Sequence, residues 1–254
     1  MKEQTRIFLS GCNGKMGHVI AEICGTYEDM AIVAGSDKNT EALPFPVYDD
    51  PTKCKEEFDV IIDFSHVSAL PLVLQLAAKT GKPLIMCTTG LSEEDKSALF
   101  ATADKSAVFY SGNMSLGVNI LISLVQKAAS VLYPEFDMEI VEAHHNQKLD
   151  APSGTALMIA DAINDTVGGN LEYVYDRHDV RKKRDKKELG LHAIRGGNII
   201  GEHSVIFAGP EEVLTISHSA MTRNVFARGA VAAARFMKGK APGLYSMENL
   251  VGTK

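Results

Sequence analysis

The chain has 254 residues, enough for two domains with separate cores, and its 45% hydrophobic and 23% charged residues describe an ordinary globular protein. A formal net charge of −6 argues against a dedicated nucleic-acid or anionic-membrane binder and points to a small-molecule partner. The four cysteines, Cys12, Cys24, Cys54 and Cys87, form no CxxC pair and no zinc-type cluster with histidine, so free thiols in a reducing compartment and no metal site are expected.

The N-terminus runs directly into a short apolar strand without a leader-like core, and no apolar run is long enough to span a bilayer, so a cytoplasmic protein is expected. That strand, Arg6 to Leu9, is followed by the glycine turn Ser10-Gly11-Cys12-Asn13-Gly14-Lys15-Met16-Gly17. A helical pattern carrying Val19, Ile20 and Ile23 comes next. Strand, glycine turn and helix are what a dinucleotide pyrophosphate requires, although GxxGxxG is a weaker signal than GxGxxG and also fits a merely structural turn. A second strand, Ala31 to Gly35, ends at Asp37, about 20 residues beyond Gly17, where a carboxylate would meet a ribose 2′-OH. Lys38 beside it could accommodate a 2′-phosphate, which leaves NADH against NADPH open.

Phe58 to Phe64, Pro83 to Cys87 and Ala107 to Tyr110 read as further strands, and Leu70 to Lys79 reads as a helix. Ser92 caps another helix, with Glu93, Glu94 and Asp95 in its first turn. The alternation predicts a parallel sheet flanked by helices, with the Gly11, Asp37, Thr88 and Asn113 turns along its carboxyl edge. A helix from about Leu116 to Leu132 precedes a strand at Asp137 to Val141. The segment from Glu142 to Ala156 then gathers His144, His145, Lys148 and Asp150 before Pro152-Ser153-Gly154-Thr155. Ser153 reads as the cap of a helix from Ala156 to Val167, so the N–H groups of Gly154 and Thr155 offer a seat for a carboxylate or phosphate.

Beyond it come strand-like runs at Leu171 to Tyr175, His192 to Arg195, Ile199 to Phe207 and Glu212 to Ser219. An alanine-rich helix from Val225 to Met237 could return to the first domain. The basic run from Arg177 to Lys187 is interrupted by acids and lacks aromatics, which favours a solvated, mobile loop over nucleic-acid binding. His203 and His218 fall on predicted strands and have structural readings first.

Together, Gly11 to Gly17, Asp63-Phe64-Ser65, Thr88-Thr89-Gly90, Gly112 to Asn119, His144-His145-x-x-Lys148-x-Asp150-Ala151-Pro152-Ser153-Gly154-Thr155-Ala156, Arg195-Gly196-Gly197 and Gly201-Glu202-His203 resemble the 4-hydroxy-tetrahydrodipicolinate reductase family nearly end to end. The resemblance implies an α/β fold with an N-terminal Rossmann-type doubly wound parallel sheet and a second, α+β mixed-sheet domain. Residues 1–114 with 225–254 would bind the dinucleotide, and residues 115–224 would bind substrate and build a homotetramer.

By position in the motif, His144 would be the acid/base residue and Lys148 a second proton donor. His145, Lys148, Ser153, Gly154 and Thr155 would hold the carboxylates of a cyclic imine dicarboxylate. NADH or NADPH would meet Gly11, Cys12, Asn13, Gly14, Lys15, Met16, Asp37, Lys38, Cys87, Thr88, Thr89, Ser111, Gly112, Asn113 and Met114. Ser65-His66-Val67 departs from the family's more usual Thr-x-Pro, which puts any cofactor role for His66 in doubt. A non-catalytic dinucleotide sensor would need neither His144 nor Lys148, and a different two-domain dehydrogenase would want a thiol or another base.

Overall fold

The computed structural model describes residues 4–252; residues 1–3, part of the stretch read as lacking a leader, and residues 253–254 lie outside them. Two compact units result, one from the chain up to Ser115 and from Asn224 onward, the other from Leu116–Arg223. The first begins with β1 (Thr5–Ser10), α1 (Lys15–Gly25), β2 (Met30–Ser36), β3 (Val47–Tyr48), β4 (Val60–Asp63), α2 (Leu70–Thr80), β5 (Leu84–Met86), α3 (Glu93–Ala101) and β6 (Ala107–Tyr110). The second holds α4 (Leu116–Leu132), β7 (Asp137–His144), α5 (Gly154–Thr166), β8 (Glu172–Val174), β9 (Glu188–Arg195), β10 (Glu202–Ala208) and β11 (Val213–Ser219). The chain then re-enters the first unit with α6 (Asn224–Met237), β12 (Gly243–Tyr245) and α7 (Met247–Val251).

The first unit carries a seven-stranded sheet in the order β12-β6-β5-β4-β1-β2-β3, parallel throughout. Its central strands are covered on both faces, which is why they read as unbroken apolar runs: Ile7, Phe8, Leu9, Ile61, Ile62, Leu84 and Ile85 are all 0% exposed. The strand order reverses beside β1, with β2 on one side and β4 on the other, and the crevice at such a point is where doubly wound sheets take ligands. The alanines of α6, with Ala227, Ala230, Ala233 and Ala234 at 0% exposure, let that helix lie close on the unit. Strand β12 and helix α7 have no counterpart in the sequence reading.

In the second unit a five-stranded mixed sheet runs β11-β10-β7-β9-β8. β7 pairs in parallel with β9 and antiparallel with β10. Met138, Ile140, Leu189, Leu191, Val205 and Phe207 project from one face onto Leu121 and Val125 of α4 and Ile159 and Ile163 of α5. β7 continues three residues beyond the predicted Val141, so Glu142 and His144 are strand residues and not part of the connection.

The basic run also departs from expectation. Arg184, only 16% exposed at its side chain, donates to Glu139 (2.9 Å), to Asp137 (3.2 Å) and to the Met138 carbonyl (2.9 Å), while Arg177 pairs with buried Glu188. A free solvated loop is therefore the wrong description of Arg177 and Arg184. Their acceptors lie on β7 and β9, and the ion pairs tie the run to the starts of these two interior strands.

Candidate active site

In the first unit the site forms where β1 ends. Gly11 has φ +79°, and a Cβ there would strike the Phe64 carbonyl. A Cβ on Gly17 would collide with the backbone of Gly11 and Cys12, so glycine at both positions lets the turn fold tightly and α1 approach it. Gly14 caps α1 without any side-chain bond, which leaves the first-turn N–H groups for an anion. Beside the turn lies a cavity of about 340 Å³ bounded by Gly11, Gly14, Asp37, Lys38, His66 and Ser68 among others. A glycine-lined floor, an uncapped helix start and a flanking cation suit the pyrophosphate and adenosine ribose of a dinucleotide.

Asp37 does more than wait for a ribose: its two oxygens accept from the N–H groups of Asn13 and Asn39, each at 3.0 Å, so it joins the glycine turn to the loop after β2. Lys38 Nζ donates to Ser68 Oγ at 3.2 Å, and that hydroxyl also lies 3.0 Å from His66 Nδ1. His66, whose role the sequence left in doubt, is in the cavity wall because β4 is the neighbour of β1. Ser68 and Phe64 join it there for the same reason, and neither stood out in the sequence.

The buried carboxyl of Asp63, which burial pushes above its usual range, accepts from the hydroxyls of Ser65 and Thr88, each at 2.6 Å. This fastens the loops after β4 and β5 together and occupies the Thr88 hydroxyl, while Thr89 stays exposed. Cys12 (0% exposed) and Cys87 (9%) turn their side chains into the protein. Burial raises the Cys12 thiol to about 11 and that of Cys87 well above the ordinary value. At these two positions only main chain can meet a cofactor. Lys15 and Gly112 are exposed, Met16, Ser111 and Asn113 half-buried and Met114 buried; Asn113 Oδ1 accepts from the Ser115 N–H at 2.8 Å and so closes the turn after β6.

The second unit builds a polar end onto an apolar sheet face. Residues two apart on a strand share a face, so the row Met138, Ile140 continues into Glu142 and His144. The register sets Arg195 of β9 opposite His144, His203 of β10 opposite Glu142, and His218 of β11 opposite His203. Glu142, 1% exposed, receives four donors. Arg195 Nη2 (2.7 Å) and the Ser153 N–H (3.0 Å) reach Oε1, and Arg195 Nη1 (2.8 Å) and His144 Nδ1 (2.6 Å) reach Oε2. Burial opposes the ionisation of Glu142, but these donors together outweigh it and hold the carboxyl below its usual range. Arg195 Nη2 also donates to the Asp150 carbonyl at 2.7 Å, which binds the Lys148 loop to the same carboxylate.

Around His144 the fit is close. Its ring meets that of His203 edge-on at 5.2 Å, and a Cβ on Gly201 would come within 3.1 Å of Nε2. His203 Nε2 lies 3.1 Å from Ser153 Oγ, which also accepts from the Ala156 N–H as the cap of α5. Ser153 is thus 2% exposed with its hydroxyl engaged inside the protein, whereas Gly154, the first residue of α5, is exposed and Thr155 half-buried. His145 is half-buried just past β7, and Lys148 holds Asp150 at 2.9 Å. An imidazole on a buried carboxylate, an ammonium and a helix start can between them seat anions and move a proton. No group of histidine, cysteine, aspartate and glutamate among the described residues is arranged to hold a metal ion.

Glu142, Arg195 and His203 were quoted in the sequence only as parts of motifs; the parity of Glu142 with His144 was the available signal. Burial, followed by the nearby His144, lowers the His203 imidazole from its usual 6.5 to about 4. The unfolded chain therefore binds a proton that the folded one refuses. Stability on this account is full above pH 6.5 and falls through pH 4, by about 3 kcal/mol in all. Melting at pH 7 and pH 4.5 should show a smaller acid loss in His203→Gln than in the parent; an equal loss would remove His203 as its source.

The comparisons with known proteins cover both units. A family model described as dihydrodipicolinate reductase, N-terminus, matches residues 5–114, and its C-terminal counterpart matches residues 117–251. The 4-hydroxy-tetrahydrodipicolinate reductase of Caldanaerobacter subterraneus subsp. tengcongensis is 55% identical over 246 residues, 97% of this chain and 98% of the relative. That of Clostridium tetani is 47% identical over 249 residues, 98% of this chain and 97% of the relative. Among solved structures, dipicolinate-bound dihydrodipicolinate reductase from Paenisporosarcina sp. TG-14 has the same fold, with a TM-score of 0.79 at 23% identity over 97% of this chain and 99% of that one.

Proposed function

The chain belongs to the dihydrodipicolinate reductase family, whose members reduce 4-hydroxy-tetrahydrodipicolinate with NAD(P)H in diaminopimelate and lysine biosynthesis, and we propose that His144 and Lys148 supply the protons of that reaction here. NADH or NADPH, when bound, supplies the hydride. The first unit offers Gly11 to Met16 to the pyrophosphate, Asp37 and Lys38 to the adenosine ribose, and the turns at Thr88-Thr89 and Ser111 to Met114 to the remainder.

The substrate is a cyclic imine with two carboxylates; once its 4-hydroxyl has left as water, hydride adds to the conjugated ring and drives electrons onto the ring nitrogen. A proton must arrive there, from the Lys148 ammonium or from the His144 imidazole. The other donors seat the carboxylates: His145, Lys148 and the start of α5 at Gly154 and Thr155, with the positive end of the helix behind them. Ser153 serves from within, as the cap that fixes this turn. The observation that carries the reading is the His144 imidazole held at 2.6 Å on buried Glu142, at the strand end from which the Lys148 loop departs.

The test is nicotinamide oxidation, followed by absorbance, with freshly generated 4-hydroxy-tetrahydrodipicolinate. Rapid turnover is expected; tight NADH binding with no turnover would leave a dinucleotide sensor. Because Lys38 is engaged, among the described residues, only by a neutral hydroxyl, Lys38→Met should raise KM for NADPH about tenfold and leave that for NADH alone. An equal change for both cofactors would place the 2′-phosphate elsewhere. We further infer a cytoplasmic homotetramer. Ile194 of β9 and Val213 of β11, 51% and 63% exposed, are apolar side chains that a second copy could cover. No helix among the described residues is long and apolar enough to cross a membrane.

A further inference from the structure

We propose that Glu142 is the positioning residue of this site: held by Arg195 and the Ser153 N–H, it keeps the His144 proton on Nδ1 and so presents Nε2 as the atom that exchanges protons with substrate. The inference rests on the proposed role of His144. It adds which nitrogen acts and what selects it.

The selection follows from counting donors. Arg195 is a permanent cation and the Ser153 N–H is main chain, so neither can become an acceptor. With both of them on Oε1, and Arg195 Nη1 also on Oε2, Glu142 is an acceptor only. The nitrogen 2.6 Å from Oε2 must then carry the hydrogen, which fixes Nδ1–H and leaves Nε2 unprotonated in the neutral ring. Proton gain at Nε2 makes an imidazolium whose charge lies against the Glu142 carboxylate. Loss of that proton to substrate regenerates the same neutral tautomer, so the ring returns to its starting form without rotating. Gly201 keeps the Nε2 side clear, since a Cβ would sit 3.1 Å away.

The charged and titratable groups about His144 are Glu142 on its own strand, Arg195 on β9, His203 on β10 and, from the following loop, Lys148 with Asp150. Among the described residues, only Glu142 is hydrogen-bonded to the ring. Burial keeps the His203 imidazole neutral.

Glu142→Gln tests this because it nearly preserves shape while reversing one polarity. The amide oxygen takes the Oε1 place, where the Arg195 Nη2 and Ser153 donors converge, and the NH₂ group replaces Oε2, so that Arg195 Nη1 loses that acceptor and keeps the Ile194 carbonyl. It then donates to His144 Nδ1 and forces the proton to Nε2. Histidine ¹⁵N spectra, with the His144 signals assigned by their absence in His144→Gln, should show Nδ1–H in the parent and Nε2–H in Glu142→Gln.

Turnover by Glu142→Gln should fall about 100-fold in kcat with little change in KM. NADH affinity should be unchanged. Should that variant not fold, Glu142→Asp, which keeps the acceptor, should retain the Nδ1–H signature. Nε2–H in the parent, or parental kcat in Glu142→Gln, would overturn the inference. Parental turnover in His144→Gln would instead overturn the role of His144 itself, leaving the tautomer assignment standing.

Discussion

Lys148→Ala should lower kcat by about 1000-fold while NADH and NADPH bind as before, and His144→Gln should do the same. The magnitude reflects two losses in the lysine variant. One is a proton source for the reduced ring; the other is a cation for a substrate carboxylate, so KM for the dicarboxylate should rise as well. His144→Gln removes only a proton carrier, and its KM should stay near that of the parent. Cofactor affinity is the internal control, because every residue proposed to hold NAD(P)H belongs to the other unit. Steady-state kinetics with direct titration of NADH would separate the effects. Normal turnover in the lysine variant would end the assignment of the site.

The second large effect concerns stability. Gly229 lies on α6 where a Cβ would intrude on the Met114 carbonyl, with Met247 Cε also near, and backbone cannot yield as a flexible side chain does. Gly229→Ala should therefore cost about 3 kcal/mol and lower Tm by roughly 10 °C, with a raised KM for both cofactors because Met114 ends the turn after β6. Gly25, at the end of α1, has nothing within 4 Å of its would-be Cβ, and Gly25→Ala should be neutral or slightly stabilising. Equal melting temperatures for Gly229→Ala and the parent would show that α6 can shift without loss.

What the sequence disclosed was local. The glycine turn, Asp37 and the Ser92 cap each declare themselves within a few positions; the Ser92 cap forms as read, and Asp95 completes it as a capping box. The polar cluster behind His144 did not, because its members are far apart in the chain. Glu142 and Arg195 are separated by 53 residues and Ser153 and His203 by 50, and they meet only through the strand order β10-β7-β9. Arg184 was misjudged for the same reason, since its acceptor Glu139 lies 45 residues upstream on a strand whose neighbours were unknown. β12 is three residues long and its pattern has no period to detect.

The first unit is assembled from both ends of the described chain, with α6 and β12 arriving only after all of Leu116–Arg223. On the ribosome the second unit can therefore emerge and fold before the first has its last strand and helix. The nascent sheet of the first unit waits meanwhile with β6 as an open edge, the place where β12 later pairs. A chain cut short near its C-terminus would lose the first unit and keep a sound second unit, and stalled synthesis would expose β6 as a surface for chaperones or for aggregation.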